Sequence, residues 1–185
     1  MEKMNTYKLW KQDPSKGEVF TSVIIVNEML DKIPLCVWKN PTSVFCDLSM
    51  GKGTFLIEVV NRLVNIYGYS EEDAKSRVFG YDIRVKYVNY LKRRGYKNVF
   101  HKDSLVENFN MKFDVVLGNP PYQDYNSQSD AGKLYIEFTK KSNQIVKDDG
   151  YICFITPETI VRDGRNKFSI RKINGLKYVN HTTSN

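Results

Sequence analysis

The sequence predicts an α/β protein with a doubly wound, mainly parallel sheet, because short apolar runs alternate with amphipathic helical segments along the chain. Strands separated by helices need right-handed crossover connections, which place helices on both faces of the sheet. The runs are apolar at successive positions, as in strands buried on both sides. The predicted strands are 44–46, 78–81, 99–101, 115–117 and 151–155, and the predicted helices are 23–32, 55–67, 85–94 and 135–146, with a further helix start at Ser70.

The segment Val44–Leu56 reads as a buried strand, an acid at Asp47, a turn containing Gly51 and Gly53, and an amphipathic helix. Glycines allow a tight turn and close approach of a ligand, and the helix start presents unpaired N–H groups. Such turns bind nucleotide-type ligands in doubly wound folds. The third glycine of a dinucleotide fingerprint and the Gly-Lys-Ser/Thr of a P-loop are both missing. A carboxylate here would repel pyrophosphate and favour a cationic ligand, and S-adenosylmethionine carries an ammonium and a sulfonium.

Two more acids follow predicted strands. Asp82 ends the run Arg77–Ile83, and Asp103 ends the run Asn98–Leu105. An acid at the position of Asp82 commonly accepts from ribose hydroxyls, and Asp103 could accept from an adenine amine. Each acid taken singly also fits a helix cap or a turn residue. Acids at three successive strand ends favour a ligand site, because ligands of open α/β sheets bind outside the carboxyl ends of the strands.

The next predicted strand ends at Asn119-Pro120-Pro121-Tyr122. Each proline fixes its own φ and pushes the preceding residue toward extended geometry. The Asn119 side chain and the Pro120 carbonyl can therefore be held as two acceptors at one point, with the Tyr122 ring as a flat surface nearby. This arrangement predicts a receptor for a planar group that carries an NH₂, such as adenine. The alternative is a proline-rich turn with an asparagine cap.

Together these motifs resemble those of the N6-adenine-specific DNA methyltransferases of restriction-modification systems, from about Gly17 to about Pro157. The resemblance implies a Rossmann-like, S-adenosylmethionine-dependent methyltransferase fold, with Asn119, Pro120, Pro121 and Tyr122 catalytic. It assigns the cofactor to Thr21, Asp47, Gly51, Gly53, Phe55, Asp82, Asp103 and Asn119. Thr21, in the motif Gly17–Ser22, is expected to meet the methionine end of the cofactor. Leu48 and Ser22 depart from the family pattern, since each stands where proline is usual.

The resemblance also implies the activity, which is methyl transfer from S-adenosylmethionine to the exocyclic amine of adenine in DNA. We expect one catalytic domain over residues 1–185 that ends before the last strands and the target-recognition domain of the family. The expected partners are DNA with a flipped adenine and a restriction or specificity protein. The alternatives are a methyltransferase acting on RNA bases or on a protein glutamine amide, and a non-catalytic subunit that binds DNA or cofactor.

Composition is that of an ordinary globular protein, with 41% hydrophobic and 26% charged residues. The formal net charge of +7 favours a polyanionic partner, with basic clusters at Arg84–Lys97 and Arg162–Lys177. The first cluster also fits a solvated helix face, whereas the second follows the last predicted strand on the substrate side. We expect Cys36, Cys46 and Cys153 to be reduced core residues of a cytoplasmic protein. The two histidines, His101 and His181, predict no metal site, and the absence of long apolar stretches predicts no membrane segment.

Overall fold

The computed structural model describes residues 21–122 and 134–156, and the structural statements below refer to these residues. The predicted features at 17–20 and at Arg162–Lys177 lie outside them. The elements are α1 (Val23–Leu30), α2 (Leu35–Lys39), β1 (Phe45–Asp47), α3 (Thr54–Asn65), α4 (Glu71–Ser76), β2 (Val78–Asp82), α5 (Val85–Arg93), β3 (Val99–His101), β4 (Phe113–Gly118), α6 (Leu134–Ile145) and β5 (Val146–Phe154).

The strands form one five-stranded sheet in the order β3-β2-β1-β4-β5, and every neighbouring pair is parallel. β1 lies at the centre, with Cys46 opposite Phe79 of β2 and Val116 of β4. The chain runs outward from β1 to β3 and then returns to the other side of β1 at β4. The crevice for ligands in such sheets opens where the strand order reverses, which is at the carboxyl ends of β1 and β4. The predicted fold class is confirmed.

Helices cover both faces of the sheet and close two apolar cores. The larger core contains side chains of α1 to α5 and of all four strands from β1 to β4, and its largest fully buried members include Trp38, Phe45, Leu56, Leu63 and Leu91. The smaller core lies on the opposite face, where Phe138 of α6 packs with Phe113, Val116 and Cys46. Burial on both faces explains why the strands are apolar at successive positions.

Hydroxyl side chains begin two of the helices. Ser70 Oγ accepts from the backbone N–H of Asp73 at 3.1 Å, so the predicted helix start at Ser70 is confirmed. Ser22 Oγ accepts from the N–H of Ile25 at 3.3 Å and caps α1. Ser22 therefore fixes the start of α1 by a hydrogen bond.

Two elements differ from the sequence prediction. Helix α2 was not predicted because its five residues are too short for a helical period; Pro34 opens it and it buries Trp38. Strand β5 begins at Val146, directly after α6, rather than at residue 151. Its first half is polar and exposed and has a register shift against β4, where Lys147 Nζ pairs with Asp114 Oδ2 at 2.8 Å.

Among the described helices, none is long and apolar enough to cross a membrane. The described residues also contain no group of three or more His, Cys, Asp or Glu side chains that could hold a metal ion.

Candidate functional site

The turn between β1 and α3 places two glycines in left-handed backbone geometry, with φ of +53° at Gly51 and +79° at Gly53. The two glycines face different surroundings. A Cβ on Gly53 would lie 2.6 Å from Leu91 Cδ1, so this glycine allows α3 to pack against α5. A Cβ on Gly51 would meet nothing within 4 Å. Gly51 is therefore the point of the turn that a ligand could approach closely.

The three strand-end acids share one local geometry. In each case Oδ1 accepts from the backbone N–H two residues later: Asp47 from Ser49 at 2.9 Å, Asp82 from Arg84 at 2.8 Å, and Asp103 from Leu105 at 3.0 Å. This is the turn that aspartate forms with its own backbone. The structural alternative for these acids is thus observed, and their contacts to a cofactor remain predictions.

Asp82 also joins β2 to the glycine turn, because Gly51 N–H donates to its Oδ2 at 2.8 Å. The Arg84 side chain adds two bonds, from Nε to Oδ1 at 3.0 Å and from Nη2 to Oδ2 at 3.2 Å. With the bond from Arg84 N–H, each carboxylate oxygen accepts two hydrogen bonds. A carboxylate offers about four acceptor positions in all. A ribose at Asp82 would therefore have to displace the Arg84 side chain.

A pocket that is partly open to solvent lies between the ends of β1, β2 and β3. Its walls are apolar and two carboxylates converge on it, a combination that suits a flat ring bearing an amine and a sugar. Ser104 Oγ closes one side by donating to the Leu48 carbonyl at 2.7 Å. The lining residues are Leu48, Ser49, Asp82, Ile83, Lys102, Asp103, Ser104, Leu105 and Phe138.

The sequence predicted the two carboxylates of this pocket, Asp82 and Asp103, but not the residues that form its walls. Ile83 and Ser104 directly follow the predicted acids, so their position in the chain was a usable signal. Phe138 comes from α6 on the far side of β4, and nothing local to it marks a pocket residue.

Asp47 lies against the end of β4. Its side chain is 2% exposed, and a Cβ on Gly118 would lie 2.8 Å from its Oδ1. Burial raises the pKa of Asp47 to about 8; the Ser49 N–H opposes the shift, and the charge of Asp82 adds to it. A cation brought into this crevice would favour the ionised form.

After β4, Asn119 Nδ2 donates to Thr21 Oγ1 at 3.2 Å. Asn119 Oδ1 is buried and has no hydrogen-bond partner among the described residues. The Tyr122 ring packs edge-on with Tyr135 of α6, at 6.4 Å between ring centroids and 83° between planes. Burial raises the pKa of Tyr122, so its hydroxyl stays neutral.

The structure thus gathers most of the predicted site residues at one edge of the sheet: Thr21 on Asn119, Asp47 on Gly118, and Asp82 with Asp103 in one pocket. Phe55 lies in the larger core and is 4% exposed. Its observed role is packing, and its contact with a cofactor remains a prediction.

The fold is the Rossmann-like fold of S-adenosylmethionine-dependent methyltransferases. A type I restriction-modification methyltransferase subunit from Streptococcus thermophilus superposes with a TM-score of 0.62, at 18% identity over 78% of this chain and 35% of that one. A class I S-adenosylmethionine-dependent methyltransferase assigned in Listeria monocytogenes gives a TM-score of 0.60, at 18% identity over 84% of this chain and 52% of that one.

Residues 57–182 match the Eco57I restriction-modification methylases, and the chain belongs to that family. The modification methylase CviBIII of Paramecium bursaria Chlorella virus NC1A is 30% identical over 182 residues, which cover 89% of this chain and 44% of the methylase. The chain therefore spans less than half the length of this relative.

Burial of Asp47 generates a pH prediction. The carboxyl ionises near its ordinary pKa of 3.8 in the unfolded chain and near 8 in the folded one, so the folded state holds one extra proton between these values. Stability then falls as pH rises through this window, by about 1.4 kcal/mol per pH unit at most. We expect Asp47→Asn to remove this slope, which urea unfolding between pH 5 and 8.5 would measure. Asp149→Asn removes an exposed carboxyl and serves as the control; parallel profiles for wild type and Asp47→Asn would contradict the prediction.

Proposed function

We propose that the protein transfers a methyl group from S-adenosylmethionine to the exocyclic amine of adenine in DNA. The observation that carries the proposal is the buried Asn119 Oδ1 at the end of β4, which has no hydrogen-bond partner within residues 21–122 and 134–156. Leaving a buried acceptor unpaired costs about 1–3 kcal/mol. A fold that keeps such an acceptor at its ligand crevice is suited to a ligand that brings an N–H donor, and the family membership points to a methylated base.

The residues at the crevice fit the cofactor. The apolar pocket walls suit its adenine ring; Asp103 would accept from the ring amine, and Asp82 would accept from ribose hydroxyls once the Arg84 side chain is displaced. Asp47 supplies negative charge for the cationic end, and Gly51 leaves the turn open beside it. When bound, S-adenosylmethionine supplies a methyl group activated by the sulfonium.

Groups of the protein would make the substrate amine a better nucleophile. The exocyclic amine of adenine is a poor nucleophile, because its lone pair is delocalised into the ring. Asn119 Oδ1 and the Pro120 carbonyl would accept its two N–H groups and favour a more tetrahedral nitrogen. Two acceptors fixed where positive charge develops would stabilise the transition state electrostatically. Orientation of the amine for in-line attack adds a proximity effect of several kcal/mol.

Access to a base within a duplex requires that the base be flipped out, and flipped bases are held by stacking on aromatic side chains. Tyr122 is the aromatic group directly beside the two acceptors in the chain. Its packing against Tyr135 limits the freedom of its ring, which lowers the entropy lost on stacking.

The proposal has competitors that share its geometry. An NH₂ of an RNA base or of a protein glutamine is also planar and could bind the same acceptors. The membership in a family of restriction-modification methylases favours DNA, and the net charge of +7 favours a nucleic acid over a protein as substrate. A non-catalytic subunit would have no use for an Asn119 Oδ1 that the described part of the chain leaves without a donor. We propose further that the protein works in the cytoplasm with a restriction or specificity partner, as a part or a relative of the longer methylases.

The first test is Asn119→Ala. We expect transfer of labelled methyl from S-adenosylmethionine to unmethylated DNA to fall by on the order of 100- to 1,000-fold, the usual effect of removing one preorganised hydrogen-bonding group. Cofactor affinity, measured by titration calorimetry, is expected to change little. Asn89→Ala changes an exposed amide on α5 and is the matched control.

The assay includes parallel arms with RNA and with a glutamine-containing peptide. Methyl transfer confined to DNA supports the proposed substrate, and transfer confined to another arm replaces it. Undiminished transfer by Asn119→Ala, or loss of cofactor binding in that variant, would contradict the catalytic role of Asn119.

The second test concerns Arg84. Because its side chain occupies acceptor positions on Asp82 that a ribose would use, we expect Arg84→Ala to bind S-adenosylmethionine several-fold more tightly. Calorimetric titration measures the change, with Arg93→Ala, an exposed arginine of the same helix, as control. Weaker binding by Arg84→Ala alone would show that Arg84 holds Asp82 in place for the ligand rather than competing with it.

A further inference from the structure

We propose that Thr21 is the positioning residue for the catalytic amide: its hydroxyl accepts from Asn119 Nδ2 and so presents Asn119 Oδ1 to the substrate amine. The inference rests on the proposed function and adds a role that differs from contact with the cofactor. Thr21 and Asn119 are separated by 98 residues in sequence and meet through side chains alone.

The need for such a residue follows from the chemistry of the amide. Its two ends differ, since the oxygen only accepts and the nitrogen only donates. Rotation of an asparagine amide about its last torsion is broad, with two roughly equivalent orientations. In one, Oδ1 faces the amine and can accept its N–H; in the other, two sets of N–H donors face each other. Catalysis requires the first orientation.

Thr21 removes the energetic cost of the orientation in which Asn119 Oδ1 faces the substrate amine. With Oδ1 toward the amine, Nδ2 points to the threonine hydroxyl at 3.2 Å and is satisfied there. Without the hydroxyl, the productive orientation would leave a half-buried N–H donor unpaired, which disfavours it. The same hydroxyl keeps its own proton for another acceptor, and donating that proton strengthens it as an acceptor for Nδ2.

The position of Thr21 is fixed by its surroundings. It directly precedes the cap of α1, where the Ser22 carbonyl accepts from Val26 N–H at 3.0 Å. Helix α1 is tied in turn to α3: Asn27 Nδ2 donates to Glu58 Oε2 at 2.8 Å, and Arg62 Nη2 donates to Asn27 Oδ1 at 3.1 Å. A hydroxyl held in this way can orient a partner, since a positioning group is effective only when its own place is rigid.

Three variants test the role. Thr21→Val keeps the shape of the side chain and removes the hydroxyl; we expect kcat at saturating cofactor and DNA to fall about tenfold, the equivalent of one hydrogen bond. Thr21→Ser keeps the hydroxyl and is expected to restore most of the rate. Ser70→Ala removes the cap of α4 and is expected to lower the unfolding temperature while leaving kcat near the wild-type value.

A binding measurement separates positioning from general damage. The target site is first read from DNA methylated by the wild-type protein, and duplexes are then made with either adenine or purine, which lacks the amine, at that position. Fluorescence anisotropy is expected to show that wild type prefers the adenine duplex and that Thr21→Val loses this preference. Binding of the purine duplex is expected to be the same for both proteins.

Several outcomes would overturn the inference. They are a Thr21→Val loss confined to the KM for the cofactor with kcat unchanged, an equal kcat loss in Ser70→Ala, and full retention of the adenine preference. If Thr21→Val fails in these ways while wild type methylates DNA, only the role of Thr21 is wrong. Failure of the wild-type protein to methylate DNA would contradict the proposed function and this role with it.

Discussion

The contact on which the site depends is that between the buried carboxyl of Asp47 and the backbone of Gly118. It lies at the ends of the two strands between which the chain order reverses, where the glycine turn of β1 comes beside the loop after β4. Gly118 has φ of +146° and no room for a Cβ, because the carboxyl oxygen would lie 2.8 Å away. Glycine at this position is therefore a consequence of burying an acid at the centre of the sheet.

Burial of the Asp47 carboxyl disfavours its ionised form, and this bears on which ligands the crevice accepts. Desolvation and the neighbouring Asp82 raise the pKa of Asp47 to about 8, so the carboxyl is largely protonated near neutral pH when no cation lies beside it. A cationic ligand in the crevice would reverse this preference. The ionised carboxylate attracts a cation and repels an anion at the β1 turn, while the proton that it holds without such a ligand makes the stability of the fold fall as the pH rises.

The fold could be predicted from the sequence because its signals are local. The apolar runs, the glycine turn and the capping Ser70 each act within a few residues, and each appears where it was predicted. The boundaries of β5 were wrong, since a polar segment with shifted register carries no apolar period. Helix α2 is too short to show one.

The site could be predicted only in part, because only some of its signals are local in sequence. The acids and the asparagine are marked by strand ends that the sequence displays. The turn at each acid was among the alternatives that the sequence offered, whereas the bonds from Gly51 to Asp82 and from Asn119 to Thr21 depend on how distant parts of the chain meet. The bond between Thr21 and Asn119 spans 98 residues, and residue patterns at that distance do not specify a contact.

The most direct test of the account is made in cells whose DNA lacks adenine methylation. The chain is expressed there, and N6-methyladenine is quantified by nucleoside mass spectrometry in the purified DNA and RNA. The account predicts methyladenine in DNA and none above background in RNA. Unmethylated DNA from cells that hold folded, S-adenosylmethionine-binding protein would contradict the claim that this chain methylates adenine in DNA.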